Sequence, residues 1–316
     1  MKIVIAAPEG EAFFDSVDAV PGVTAVRALT PEDAAREIVD ADAMYGWPTA
    51  SMLATAPNLK WVQTPSAGVD FLMRIPELVE ADIVVTNTRG AHAPSIAEHA
   101  FGLLLALTRA IPVSLKWQAE RYWGRKDGYR LPREIMGSTM GIAGYGQIGR
   151  MVAKRAAGFD MKVLAVDVAP GEGDAIVEEV WPIDRLHEML GQSDAVVLAA
   201  PYTKQSHHLI DASALAAMKK DAFLIAVSRG GIVDESALVA ALKTGHLAGA
   251  GIDVCETEPL GAEAELWNLD KVLITPHLAG SSWQKEQRCV EILVDNLGRF
   301  QRGEELRNVV DKRAGY

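Results

Sequence analysis

The sequence predicts an α/β protein built on two doubly wound parallel sheets. Short apolar runs alternate with amphipathic helical stretches along all 316 residues, and these runs fall into two successive sets. The second set opens mid-chain with a glycine-rich turn, Gly144-Tyr145-Gly146-Gln147-Ile148-Gly149. Alternation of this kind marks parallel sheets, because each parallel crossover needs a connection long enough to hold a helix. The length itself suits about two domains.

In the first set, apolar runs lie at 2–6, 23–27, 43–46, 60–63 and 83–86. Helix starts between them carry capping chemistry, as in Thr30-Pro31-Glu32-Asp33, where Thr caps and Pro takes the first helical position. A long helix opens at Ser95-Ile96-Ala97-Glu98 and is expected to run to about Leu115, from the first domain into the second. Residues 117–133 are aromatic and charged without a strong period. The second set has runs at 139–143, 162–167, 195–199, 223–227, 249–254 and 272–275, the six strands of a dinucleotide-binding sheet. Past Trp283 a helical period returns (Glu286, Val290, Leu293, Leu297), and this helix is expected to rejoin the first domain.

Composition narrows the partners. A net charge of −11 with no basic block argues against nucleic acid and anionic membranes. The opening Met1-Lys2-Ile3-Val4-Ile5-Ala6-Ala7-Pro8 is too short for a signal peptide and reads as a strand. No segment reaches the length of a membrane span, since 96–107 is interrupted by Glu98 and His99. Cys255 and Cys289 form no metal or redox motif, and no Cys/His spacing suggests a metal; reduced thiols in a cytoplasmic protein are expected.

The glycine turn follows an apolar strand and precedes a helix. Gly144 permits a tight turn, Gly146 brings bare backbone against a pyrophosphate, and Gly149 lets the helix pack on the strand. Unpaired N–H groups at the helix start suit phosphates. The next strand ends in Asp167, roughly 20 residues beyond Gly149, where a carboxylate accepts the ribose hydroxyls and repels a 2′-phosphate. Val168-Ala169-Pro170 supplies no arginine, so NAD is favoured over NADP.

Ligands of such a sheet sit beyond the carboxyl ends of its strands. Arg229, Glu258 and His277 follow the fourth, fifth and sixth strands of the second set and share the edge of the glycine turn. Taken singly, each has an ordinary alternative: a surface ion-pair residue, a solvated acid before Pro259, a capping histidine. Together they suit hydride transfer to a carbonyl carbon. Arginine grips a carboxylate with its planar fork, and a histidine oriented by a glutamate moves the proton of the carbonyl oxygen. Of the other histidines, His187, His207, His208 and His246 read as structural or solvated. His99 reads as buried or interfacial rather than catalytic, and Arg89 and His92 lie near the expected interdomain hinge. Asp234 reads as a helix cap.

These residues resemble the D-isomer-specific 2-hydroxyacid dehydrogenases over essentially the whole chain. The matching segments begin with Leu59-Lys60-Trp61-Val62-Gln63 through Ser66-Ala67-Gly68-Val69-Asp70, Ile96-Ala97-Glu98-His99, and Gly141 through the glycine turn. They continue with Ser228-Arg229-Gly230-Gly231-Ile232-Val233-Asp234-Glu235, Gly251-Ile252-Asp253-Val254 with Glu258-Pro259, and Thr275-Pro276-His277. The resemblance implies Arg229, Glu258 and His277 as the catalytic set. It implies that the backbone N–H groups of Ser66, Ala67 and Gly68, with Arg229, hold the substrate carboxylate. Gly144, Gly146, Gln147, Ile148, Gly149, Asp167, Val227, Ser228, Arg229, Asp253, His277 and Gly280 would line the cofactor NAD(H), with Asp253 at the nicotinamide amide.

The resemblance further implies a flavodoxin-like substrate domain formed by residues 1–98 and 283–316, around a Rossmann NAD-binding domain at 99–282. A homodimer through the NAD-binding domains would bury the region 117–133. The expected activity is NAD-dependent reduction of a small 2-oxo acid of the glyoxylate or hydroxypyruvate type to its D-2-hydroxy acid. Trp47, Arg89 and His92 are candidates to line the distal substrate pocket. Formate dehydrogenases look similar but pair the histidine with glutamine, so Glu258 favours an alcohol/carbonyl substrate. The alternative is an NAD(H)-binding regulator of the C-terminal-binding corepressor type, which keeps the same triad. Such a protein is expected to carry a disordered tail beyond a point like Asn308-Val309-Val310-Asp311. The stretch Asn87-Thr88-Arg89-Gly90-Ala91-His92 is bulkier and more basic than the family's usual hinge.

Overall fold

A computed structural model describes residues 1–315. The chain divides into two compact units, one formed by Met1–His92 with the segment from Ser282 onward, the other by Ala93–Ser281.

The first unit holds five parallel strands: β1 (Lys2–Ile5), β2 (Thr24–Arg27), β3 (Ala43–Tyr45), β4 (Trp61–Gln63) and β5 (Val84–Thr86), in the order β2-β1-β3-β4-β5. That is the flavodoxin-like order, with its switch point between β1 and β3. Helices cover both faces, so β1 is apolar at consecutive positions instead of alternating. Ile3 and Ile5 pack with Phe13, Tyr45 and Trp61 on one side, and Val4 with Ile38, Met44 and Val62 on the other.

The helix Trp283–Arg302 seals the first of these faces. Its apolar residues recur at helical spacing, and Leu293 and Leu297 are buried against Ile3, Tyr45 and Trp61, while Phe300 stacks on Trp61. The Ser282 side chain accepts the Lys285 N–H at its start, and Gly303, in a left-handed conformation with φ of 68°, ends it. Buried Asn296 donates from Nδ2 to Gln63 Oε1 at 2.9 Å and accepts the Arg307 N–H at 2.7 Å. The C-terminal helix is therefore part of the first unit's core.

In the second unit, β6 (Thr139–Ala143), β7 (Lys162–Asp167), β8 (Gly171–Glu172), β9 (Glu179–Pro182), β10 (Ala195–Leu198), β11 (Phe223–Ala226), β12 (Gly249–Ile252) and β13 (Val272–Ile274) form one sheet. Its order is β13-β12-β11-β10-β6-β7-β9-β8, parallel except where β8 runs against β9. Strand order reverses between β6 and β10, which is where a Rossmann sheet opens its ligand crevice. The structure adds β8 and β9 to the six expected strands. Neither shows a sustained apolar run, and Pro182 ends β9, a tolerable residue near an edge.

The expected long helix is two helices. The first, Ala93–Thr108, has half its residues buried and ends before Ala110, which sits at φ 57°; the second, Ile111–Ala119, buries no residue. Pro112 explains the break, because it lacks an N–H and restricts the residue before it. It sits instead in the first turn of the new helix, where proline is tolerated. No single helix among the described residues is long and apolar enough to cross a membrane.

Candidate active site

The glycine turn joins β6 to the helix Gln147–Gly158. Gly144 has φ of 96°, and a Cβ there would stand 2.5 Å from the Ala200 nitrogen. A Cβ on Gly149 would meet the Gly144 carbonyl oxygen at 2.2 Å, so the helix lies directly on the turn. Gly146 differs: its φ is an ordinary −77°, and nothing lies within 4 Å of where its Cβ would be. The protein's own packing does not require that glycine. The vacant space at the helix start suits a close-lying phosphate, and the amides of Gln147 and Ile148 begin a helix whose first N–H groups have no intrahelical acceptor.

Asp167 ends β7 and accepts the Tyr145 N–H on Oδ2 at 2.6 Å and the Ala169 N–H on Oδ1 at 2.9 Å. It therefore closes the turn, and each carboxylate oxygen keeps a second lone pair able to accept another hydrogen bond. Asp174, which sequence reasoning missed, reinforces the same turn. Its Oδ2 accepts Tyr145 O–H at 2.9 Å and pairs with Arg150 at 2.8 Å, while Oδ1 takes the amides of Ile176 and Val177. The Ile176 amide, ahead of its other donors, holds the Asp174 carboxyl below the usual carboxylate range despite opposing desolvation. No motif signals Asp174, because Tyr145 and Arg150 lie on the far side of β7 in sequence.

Arg229, Glu258 and His277 lie beyond β11, β12 and β13, three adjacent strands. Glu258 and His277 touch directly: His277 Nδ1 lies 2.6 Å from Glu258 Oε2. Glu258 Oε1 accepts the Cys255 N–H at 3.0 Å, which fixes the carboxylate from behind. Both side chains stay partly exposed, at 44% for His277 and 38% for Glu258. With Nδ1 committed to the glutamate, Nε2 is the ring nitrogen left for a substrate oxygen. The Arg229 loop adjoins that of Glu258, because a Cβ on Gly230 would stand 1.7 Å from the Cys255 carbonyl oxygen.

Two further arrangements hold these loops. Glu235 and Glu256 each accept the other's backbone N–H, at 2.5 and 3.1 Å, and His208 Nε2 lies 3.0 Å from Glu256 Oε1. Burial pushes the Glu235 carboxyl up, and the charges of Glu256 and Glu258 push the same way. On the other side, Asp253 is 2% exposed and takes the amides of Leu278 and Ala279 at 2.9 Å each, while its own carbonyl takes the His277 N–H at 2.9 Å. His277 itself has φ of 54°, in the left-handed region.

The residues fit a dinucleotide. Val227 is buried, and the neighbouring Ser228 Oγ is buried with no partner among the described residues, a polar atom left over at the strand-end edge. Gly146, whose Cβ position meets no other atom within 4 Å, lies on that same edge.

Ser66, Ala67 and Gly68 belong to the first unit. Their carbonyls face the protein: Ser66 accepts from Thr64 Oγ1 and Thr88 N, Ala67 from Asn87 Nδ2, and Gly68 from Ser66 Oγ. Ser66, Ala67 and Gly68 are themselves partly exposed. His92 Nε2 contacts Thr88 Oγ1 at 3.1 Å, and the Arg89 N–H is taken by Asn87. Trp47, beyond β3 on the same sheet edge, is 45% exposed. His207 meets Tyr202, and His246 meets the Met218 carbonyl. Asp234 caps its helix through the Ala237 N–H.

Comparison with known proteins places this geometry among relatives. Residues 101–279 match the family described as the D-isomer specific 2-hydroxyacid dehydrogenase, NAD binding domain. A glyoxylate reductase of Thermofilum pendens is 39% identical over 89% of this chain and 84% of its own length. A hydroxypyruvate reductase of Thermotoga maritima is 37% identical over 79% of this chain and 80% of its own. A D-isomer specific 2-hydroxyacid dehydrogenase of Xanthobacter autotrophicus, solved with NADPH and MES, superposes with a TM-score of 0.85 at 30% identity, covering 99% of this chain and all of that one.

Proposed function

The chain belongs to the D-isomer-specific 2-hydroxyacid dehydrogenase family, and from that premise we propose that Arg229, Glu258 and His277 serve the NADH-dependent reduction of a small 2-oxo acid of the glyoxylate or hydroxypyruvate type. The protein is an NAD-dependent oxidoreductase acting on the CH–OH group of 2-hydroxy acids and, in the reverse direction, on 2-oxo acids. The observation that carries the catalytic assignment is the 2.6 Å contact between His277 and Glu258 at the sheet edge of the glycine turn.

NADH held by these residues would supply a hydride for the carbonyl carbon. His277 supplies the matching proton from Nε2 to the carbonyl oxygen, so that C=O becomes CH–OH with hydride and proton both accounted for. Glu258 accepts the Nδ1–H and holds the ring in the tautomer and rotamer that this transfer needs. Arg229 binds the carboxylate and polarises the carbonyl through its planar fork. The amides of Ser66, Ala67 and Gly68 are further donors for a carboxylate. Gly144, Gly146, Gln147, Ile148 and Gly149 cradle the pyrophosphate, and Asp167 takes the ribose hydroxyls. Val227, Ser228, Asp253 and Gly280 complete the nicotinamide end.

The unit Ala93–Ser281 is the NAD-binding domain in this reading, and the chain's two outer segments form the substrate domain. We assign a homodimer through the NAD-binding units, since Leu115, Trp123, Tyr129 and Met136 are 58–89% exposed in a single stretch. We place the enzyme in the cytoplasm, where its two buried cysteines stay reduced. The test is an oxo-acid panel with NADH and NADPH in parallel. Glyoxylate and hydroxypyruvate are expected to drive NADH oxidation, with carbonyls lacking the carboxylate far poorer. NADH binding without turnover across the panel would overturn the catalytic reading.

A further inference from the structure

His99 lies on the helix Ala93–Thr108, which packs across β11 and β12. Its Nε2 is 2.8 Å from Thr275 Oγ1 and 3.4 Å from Asp253 Oδ1. Thr275 Oγ1 in turn donates its single proton to Asp253 Oδ1 at 2.6 Å. With that proton committed, the Thr275 oxygen can only accept, so His99 carries its proton on Nε2. The chain of donation runs from His99 through Thr275 to Asp253.

Asp253 joins this chain to the loop that carries His277. A buried carboxylate must be compensated by donors. The described donors to Asp253 are the Thr275 hydroxyl and the amides of Leu278 and Ala279, and the Asp253 carbonyl holds the His277 amide. Three successive amides, 277 to 279, thus converge on one residue. They hold His277 at φ 54°, a conformation that a side chain larger than glycine adopts only when its surroundings impose it.

We propose that His99 is a positioning residue which, through Thr275 and Asp253, fixes the left-handed loop carrying His277 and so aligns its imidazole for proton transfer. The proposal rests on the reading of His277 as the acid/base. The rest of the helix needs no polar group at 99 for its packing, since its buried positions are small or apolar apart from Thr108.

The test uses the full-length enzyme with NADH and glyoxylate. H99L is expected to lower kcat about tenfold while the NADH Kd and the glyoxylate KM stay within about twofold. H99Q, which restores a donor at that point, is expected to recover kcat to within about threefold of the parent. T275V is expected to lose as much as H99L, with the double variant no worse than T275V, because both break one chain. T275S, which keeps the hydroxyl, is expected to stay near the parent and serves as the readout if H99L does not fold. A kcat within twofold in H99L, equal loss in H99Q and H99L, equal loss in T275S and T275V, or multiplying losses in the double variant would overturn the proposal. H277Q separates the two claims. Retained turnover there removes the acid/base reading and the proposal with it, whereas lost turnover in H277Q beside a normal H99L removes the proposal alone.

Discussion

Replacing Gly149 by alanine sets a methyl carbon 2.2 Å from the Gly144 carbonyl oxygen, where ordinary contact begins at 3.4 Å. Both atoms are tied to backbone, so no side chain can swing aside. The helix Gln147–Gly158 must move off the turn by more than an ångström, or the turn must open. Overpacking of this kind costs about 1–3 kcal/mol. For a unit of this size that is roughly 2–12 °C in the melting temperature. Gly146→Ala is the contrasting case. With φ of −77° and no atom within 4 Å of the new methyl, the fold should lose at most about 1 kcal/mol, the usual scale of a cap substitution. The methyl nevertheless occupies the space in which a pyrophosphate would lie. NADH binding should weaken at least tenfold, about 1.4 kcal/mol. Calorimetric melts of the ligand-free variants, with NADH fluorescence titrations at a temperature where both are folded, separate the effects. A Gly149→Ala protein melting with the parent, or a Gly146→Ala protein binding NADH as the parent does, would refute this division of labour among the glycines.

H277Q should lower kcat by about 10²–10⁴-fold with NADH affinity largely kept, as expected for loss of a proton donor, and stopped-flow turnover with direct binding titration checks both halves. Asp167→Asn removes the charge that repels a 2′-phosphate yet keeps an oxygen for the Tyr145 amide. The ratio of kcat/KM for NADH over NADPH should fall about tenfold or more, and an unchanged ratio would show that the ribose site lies elsewhere. Burial, ahead of the charges of Glu235, Glu258 and Asp253, pushes the Cys255 thiol up to about 11, and burial likewise raises Cys289. A thiol whose pKa lies above the solution pH stays protonated, so neither should react readily with a disulfide reagent at pH 8, whereas both should in guanidinium. Light scattering should give twice the 34.0 kDa chain mass, and Trp123→Asp with Tyr129→Asp should shift the mass toward that of a single chain.

Strand positions were readable because β1, β3, β4 and the central strands of the second sheet are apolar runs bounded by turns. The structure moves their ends by only a residue or two. β8 and β9 were not readable, since Gly171–Glu172 is exposed and Glu179–Pro182 mixes an acid and a proline with its apolar residues. The Thr108 break was legible in principle from Pro112, but the apolar period through Leu115 outweighed it. At the site, the strand-end rule put Glu258 and His277 on one edge. Their contact is made with His277 in a left-handed conformation, which no residue preference announces. Asp174 and the His99–Thr275–Asp253 chain were hidden for a simpler reason: polar contacts between residues far apart in sequence carry no periodicity.

The burial of Leu293 and Leu297 against Ile3, Tyr45 and Trp61 also sets an order of events for a chain that emerges from its N-terminus. Residues 1–92 precede the insert, yet one face of their sheet, covered in part by Phe13, Phe14 and Val17, stays incomplete until the helix Trp283–Arg302 arrives. The intervening unit is continuous and can complete its own core in the meantime. A folded insert shortens the effective span that the two outer segments must close, which lowers the entropy cost of bringing them together. That segment thus completes its core only with the late helix, and until then the surface around Trp61, on which Phe300 stacks, is open to aggregation.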